Sequence, residues 1–247
     1  MFPQFILCLF LGILTPLATA NVEKTIFLGP EPVNIPHQHP TLSDLNIDSL
    51  TPETWSLRTH LEAIFPTEDL TKGKSTWLIL DNLSEGQRYE VRICWLATQP
   101  TDFHLQTYTL PTVFDTPELI TSLHNYSISR QPAAADAPII TTHHPPTTTG
   151  ERQSSVLFLR IDAAASYISS DRALMEHPEP VVADIILDPF VYNVLPRTLV
   201  PTVGYVVFIA ALSWILSTRV VVPWVSGLMV GGGVGESVAV EEERKRK

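Results

Sequence analysis

Asp184 and Asp188 are the carboxylates whose spacing first suggests chemistry, because a pair of acids can divide acid and base roles. On an extended strand they share a face but stand about 13 Å apart by strand rise. That is wide for a shared catalytic task, so a solvated or partner-facing role is expected. His37-x-His39 and His143-His144 have the residue type for metal binding. Each pair lies among prolines without a cysteine or acidic ligand at fitting spacing, and both read as loop histidines. No G-x-S-x-G, Walker-type loop or H-E-x-x-H occurs. The Asp-x-Asp of metal-dependent sugar-nucleotide transferases is missing as well. No catalytic residue, cofactor or metal is expected, and the chain does not read as an enzyme.

Two tripeptides carry a different chemistry. Asn82-Leu83-Ser84 and Asn125-Tyr126-Ser127 are N-glycosylation sequons, which need a lumenal compartment and an accessible asparagine. Asn82 falls in an expected turn, with Leu83 turned inward and Asn82 outward. Both are expected acceptors.

The compartment follows from the two ends. Phe5 to Leu14 is a short apolar run followed by Ala18-Thr19-Ala20, the pattern of a signal peptide cleaved after Ala20. Leu199 to Thr218 is twenty residues without a charge, about 30 Å as a helix and enough to cross a bilayer. Residues 21–198 are then lumenal, anchored by a single span of type I orientation. A second apolar stretch, 220–235, contains Pro223 and Gly231-Gly232-Gly233. As a second span it would return the basic ending to the lumen, against the positive-inside rule. One span with a cytosolic tail, 219–247, is the expectation. Arg244 and Lys245 partly match a cytosolic endoplasmic-reticulum retrieval signal, and a stop-transfer cluster is the plainer reading. A glycolipid-attachment signal would end in its hydrophobic tail, whereas this chain continues into charges.

The charge excludes some partners. Five of the 16 basic residues and four of the 26 acidic ones lie past Thr218, so the part before it carries about −11. That disfavours nucleic acid or an anionic membrane surface as partner. Removal of the signal takes Cys8 with it, leaving Cys94 without an intrachain disulfide partner. A protected, buried thiol is expected there. The domain must then fold by hydrophobic burial alone.

Along the chain, Lys24 to Leu28, Thr76 to Leu80, Arg88 to Trp95, Phe103 to Leu110 and Ser155 to Asp162 read as strands. In Arg88–Trp95, Tyr89, Val91, Ile93 and Trp95 share one face, and Arg88, Glu90, Arg92 and Cys94 share the other. Ser56 to Phe65 fits a helix or an extended segment equally well. The spacing of Leu83, Gly86 and Tyr89 matches the tyrosine corner of immunoglobulin- and fibronectin-type sandwiches. The fold expected is mainly β: a lumenal immunoglobulin/fibronectin-like β-sandwich with a C-terminal transmembrane helix. Residues 130–152, rich in Pro, Ala and Thr, read as a flexible insertion, and Pro178 to Pro201 as a membrane-proximal segment.

Several passages together carry a resemblance. They are Asn21-Val22-Glu23-Lys24-Thr25-Ile26-Phe27-Leu28, then Gly86 to Trp95 continuing to Thr101, and Leu159-Arg160-Ile161. Asp184-Ile185-Ile186-Leu187-Asp188-Pro189 and Asn193-Val194-Leu195-Pro196 complete the set. In this order the chain resembles the fungal endoplasmic-reticulum subunit family that partners glycosylphosphatidylinositol (GPI) mannosyltransferase II. The resemblance implies a non-catalytic accessory subunit required for addition of the second mannose. Catalysis would belong to a multispanning partner using dolichyl-phosphate mannose. Strand edges and Pro178 to Pro196 would form the partner surface, and Gly204, Ala210, Ala211 and Ser213 would permit close helix approach in the membrane. The alternatives are an accessory subunit of GPI mannosyltransferase I and a single-span cell-surface adhesion or receptor module. A stand-alone glycosyltransferase is opposed by the missing motifs.

Overall fold

The computed structural model describes residues 21–35, 41–131 and 152–227. It divides into two units, one ending at Pro196 and one beginning at Arg197.

The first unit is built from two sheets. One is ordered β1 (Val22–Leu28), β6 (Arg88–Trp95), β9 (Val181–Val191), with β4 (Ser56–Leu61) and β10 (Leu195–Pro196) also pairing with β9. The other centres on β5 (Lys74–Leu83) and β8 (Arg152–Ala165). There β3 (Ser49–Leu50) pairs with β5, and both β2 (Val33–Ile35) and β7 (Thr101–Thr109) pair with β8. All pairings are antiparallel except β3 with β5. Of Ser56 to Phe65, ambiguous in the sequence, Ser56–Leu61 is thus the strand β4.

Alternation explains the inner face of the first sheet. Tyr89, Val91 and Ile93 of β6 and Val181, Ala183, Ile185 and Leu187 of β9 fall at every second residue and are buried. They pack against Leu78 and Leu80 of β5 and Leu157, Leu159 and Ile161 of β8 in one core between the sheets. Burying one such aliphatic side chain is worth about 1.5–3 kcal/mol, which is how a chain with no disulfide among its described residues holds together.

In β5 and β8 alternation gives way to the unbroken runs Trp77-Leu78-Ile79-Leu80 and Val156-Leu157-Phe158-Leu159. Such runs mark a sheet covered on both faces. The second cover is helical: α1 (Leu110–Asp115) and α2 (Pro117–Ser129). Leu119, Leu123 and Ser127 recur every four residues along α2, forming its buried face. With Val113, Leu119 and Leu123 enclose Trp77, Ile79, Val156 and Phe158 in a second core. The Trp77 indole N–H reaches the Ser122 hydroxyl at 3.1 Å. The molecule is mainly β, as expected, but carries a helical third layer that strand patterning did not reveal.

The Tyr89 corner is present. Ser84 donates its backbone N–H to the Tyr89 phenol oxygen at 2.9 Å. Gly29 lies against this corner, bonded to Gln87 and Gly86 through its own N–H and carbonyl. A Cβ on Gly29 would stand 2.1 Å from the Ser84 carbonyl oxygen, so only glycine fits. β5 runs to Leu83 rather than stopping at Leu80. A bulge lengthens it, because Leu80 faces Leu157 while Leu83 faces Ser155, leaving one residue extra. Asn82, with φ of 55°, absorbs that extra residue.

Within Pro178 to Pro196, residues Val181–Val191 form β9, the strand that β6 flanks on one edge and β4 on the other. Val181, Ala183, Ile185 and Leu187 face the core, so the apolar run there marks interior rather than docking surface. A short helix, α3 (Arg172–Glu176), precedes it, capped by the Asp171 carboxylate accepting from the Ala173 N–H at 2.9 Å.

The second unit contains one helix, Arg197–Gly227, long and apolar enough to cross a bilayer by length and composition. Its α-helical part is α4 (Val200–Leu216), followed by a π-helical turn at Ser217–Val221. Proline conflicts with the carbonyl four residues back, which for Pro223 is that of Arg219. The wider turn relieves this conflict, and the helix runs on through Arg219 to Gly227 instead of breaking there.

Candidate functional site

The two sequons occupy different backbone. Asn82 is exposed at the β5 bulge, with Leu83 buried beneath it and Ser84 exposed. Its amide nitrogen donates toward both Glu53 carboxylate oxygens at 3.3 and 3.4 Å. The Glu53 carboxyl is held below its ordinary value by its own backbone N–H, then by Asn82 and Thr51. Asn125 is exposed too, but lies within α2. The hydroxyl of its sequon, on Ser127, is buried and donates to the Leu45 carbonyl at 2.7 Å. Folding therefore consumes the hydroxyl that the second sequon needs.

Asp81, beside the bulge, ties β5 to β8. It accepts from the Asn82 N–H and the Ser154 hydroxyl, both at 2.7 Å, and from Arg152. Partial burial pushes the Asp81 carboxyl up. The Arg152 and Ser154 hydrogen bonds outweigh that, so it lies below the ordinary carboxylate value.

Asp184 and Asp188 do share the outer face of β9, and their surroundings differ. Asp184 holds Arg58 of β4 in a two-bond clamp of 2.7 and 2.8 Å. The Arg58 hydrogen bond lowers the Asp184 carboxyl, and Arg58 is raised in turn. Asp188 is buried rather than solvated, which corrects its expected role. It stands directly opposite Glu90, also buried, in the β6–β9 register. Two like charges side by side are destabilising, and cations answer them here. Arg92 Nη1 lies 3.7 Å from Glu90 and 4.0 Å from Asp188, and Lys24 Nζ lies 3.4 Å from Glu90. The arrangement is a charge-balanced ladder across β1, β6 and β9. It does not separate an acid from a base.

Cys94 faces Asp184 in the same register and is half-buried. Burial pushes its thiol up, which keeps it in the less reactive protonated form.

Two cavities open between elements. One of about 210 Å³ lies between β4, β5 and the end of α2, lined by His60, Glu62, Lys74, Tyr126 and Arg130. The Arg130 guanidinium caps the Tyr126 ring and bonds its phenol oxygen, and its Nη2 reaches Asp48 at 3.0 Å. The other, about 280 Å³, is lined by Gln99, Thr101, Tyr167 and Ser169. Their polar atoms are spent on the fold: Gln99 bridges the Pro180 carbonyl and the Val182 N–H, and Tyr167 bonds Leu174. Among the described residues, no group of three or more His, Cys, Asp or Glu side chains could hold a metal ion.

One buried charge escaped the sequence reading. Asp162 is wholly buried on β8, its Oδ1 accepting from the Ser75 hydroxyl at 2.6 Å and Arg160 Nε at 2.8 Å. Its Oδ2 has no protein partner among the described residues. The signal was present as Arg160-x-Asp162, two charges at strand period inside an apolar run. Ala20, Arg244, Lys245, the four loop histidines, nearly all of 130–152 and the 228–235 portion of the second apolar stretch lie outside the described residues.

Exposed apolar surface is the remaining feature of the β domain. On β1, Ile26 and Leu28 are 53% and 57% exposed and share an outer face with Val22. Among the described residues, β6 is the one strand that pairs with β1, so its other edge has no ladder partner, although β7 comes close to β1. An unpaired, apolar edge strand is a template for association.

Comparison with known proteins gives one match. Residues 11–125 match the model of the Pga1 family, described as GPI-mannosyltransferase II co-activator. The match bears out the resemblance carried by the sequence. No curated protein and no solved structure matches the chain.

Proposed function

We propose that this chain, a match to the Pga1 co-activator family over residues 11–125, is the non-catalytic accessory subunit of GPI mannosyltransferase II. It is required when the second mannose is added during GPI-anchor synthesis. The family match carries this reading. It runs through β1, the Tyr89 corner and β6 into α2, and stops short of β8 and β9, the central strands of the two sheets.

The arrangement that goes with this role is a lumenal β domain held to the endoplasmic-reticulum membrane by residues 199–218. The signal is cleaved after Ala20, and a basic cytosolic tail includes Arg244 and Lys245. The partner is the multispanning catalytic subunit, which supplies the chemistry, and the unpaired apolar edge of β1 is the surface offered to it. Asn82 carries a glycan. Co-purification from detergent-solubilised membranes tests the reading. Recovery of a multispanning mannosyltransferase with this chain is expected, and consistent recovery without one contradicts the proposal. Accumulation of a GPI precursor without any mannose after depletion would instead assign the chain to the first mannosyltransferase.

A further inference from the structure

The hairpin joining β9 to β10 turns through two residues that both have positive φ, Tyr192 at 52° and Asn193 at 58°. The Val194 N–H closes it onto the Val191 carbonyl at 3.1 Å. Such turns favour Asn, Asp and Gly, which tolerate left-handed backbone. Asn193 fits. Tyr192 does not, since a bulky side chain at positive φ is a costly conformation.

Burial does not repay that cost. Tyr192 is 93% exposed, and Val194 beside it is 78% exposed. From Pro189 to Pro196 the chain has no charge, and Asn193 supplies its one amide side chain. Both ends of that amide turn back into the domain: Oδ1 accepts from the Arg88 N–H at 2.8 Å, and Nδ2 donates to the Gly86 carbonyl at 3.0 Å. Gln87 reinforces the attachment through the Phe190 carbonyl. The turn is therefore bolted to the corner before β6, and its outward surface consists of Val191, Tyr192 and Val194.

We infer that this hairpin tip is a lipid-contacting anchor, with the Tyr192 ring at the headgroup level of the membrane that the helix beginning at Arg197 crosses. The inference rests on the membrane reading of that helix. Val194 is three residues from Arg197, so covalent reach keeps it within about 11 Å of the helix start. The interfacial zone on each side of a bilayer is about 5–8 Å deep, a matching scale. Tyrosine suits that zone because its ring is apolar and its hydroxyl stays hydrated. A tip without charge suits a neutral lipid surface, in keeping with the acidic balance of the domain.

The test is nitroxide labelling of the full chain in phosphatidylcholine vesicles, with Cys8 and Cys94 replaced by serine. Labels are placed by Tyr192→Cys, by Val194→Cys, which leaves Tyr192 in place, by Val207→Cys within the helix, and by Glu68→Cys as an exposed reference. The expected result is loss of collisions with a water-soluble nickel complex at 192 and 194 relative to 68, with collisions with oxygen retained. Nickel access at 192 and 194 equal to that at 68 overturns the inference. So does shielding from both reagents, which would mean burial in protein. The label at 207 separates the two failures. If it too meets nickel freely, the membrane reading of the helix has failed. If it lies in lipid while 192 and 194 meet nickel, the anchor alone is wrong.

Discussion

The Ser84 N–H donates to the phenol oxygen of Tyr89 at 2.9 Å, closing the corner between β5 and β6. Tyr89 is buried and stacked on Phe27 at 5.8 Å between ring centroids. Tyr89→Phe keeps the ring and removes the acceptor. Its expected effect is a loss of about 1 kcal/mol, the net worth of one such bond. Denaturant unfolding of the purified protein checks this, and an unchanged midpoint would show that the corner is ornamental to stability.

Gly29 approaches the same corner from the end of β1. Gly29→Ala forces a Cβ against the Ser84 carbonyl, backbone that has no free rotation to yield. A destabilisation of about 1–3 kcal/mol is expected, the range for overpacking. It should exceed that of an alanine at Gly86, where open space surrounds the added carbon despite the φ of 69°. The two thermal unfolding midpoints decide the order.

Asp81 predicts an acid sensitivity. Its folded carboxyl lies below the unfolded value because Arg152 and Ser154 bond the ionised form. Its contribution is thus present above the unfolded carboxylate range, about pH 4. It is lost as pH falls through the lower folded value. Arg152→Gln should cost at most about 1 kcal/mol near neutrality, given the partial exposure of the pair. Its stability curve should converge with that of the parent protein below the folded value. Parallel curves across the whole acid range would exclude this pair as the source.

The sequons should behave differently. Asn82→Gln should remove a glycan-sized mobility shift, because Asn82 stays exposed on the bulge in the folded domain. Asn125→Gln should leave the pattern nearly unchanged if folding withdraws Ser127 before transfer. Ser127→Ala should lower stability whether or not a glycan is present, since it leaves the Leu45 carbonyl without its donor. Equal occupancy at both sites would place transfer ahead of folding.

The edge strand β1 supplies a test of the partner surface. Ile26→Lys and Leu28→Lys place charge on exposed positions, so each should change folding stability by less than about 0.5 kcal/mol. Both should reduce recovery of the catalytic subunit. Full recovery with the double variant would move the partner surface away from β1.

Legibility from sequence followed burial geometry. β6 was read to its ends because one face is buried and the other carries Arg88, Arg92 and Cys94, giving clean alternation. Its Tyr89 corner was legible from three residues. β9 was not read as a strand because Val181 to Leu187 is nearly continuous in hydrophobicity, and the run before the span invited a membrane explanation. The unbroken runs at Trp77 and Phe158 were the clue to a second covering layer. α1 and α2 went unseen because Pro111 and Pro117, the usual breakers, stand in their first turns, where proline is tolerated. Asp188 was unreadable as a buried charge, since its partner Arg92 comes from a strand far away in the sequence. Asp162, by contrast, left a signal in Arg160 two residues before it.

The measurement closest to the central claim is the GPI-precursor lipid profile of cells depleted of this protein. The account predicts accumulation of the precursor bearing one mannose, with loss of the forms carrying two or more. Undiminished flux to the mature lipid would contradict it.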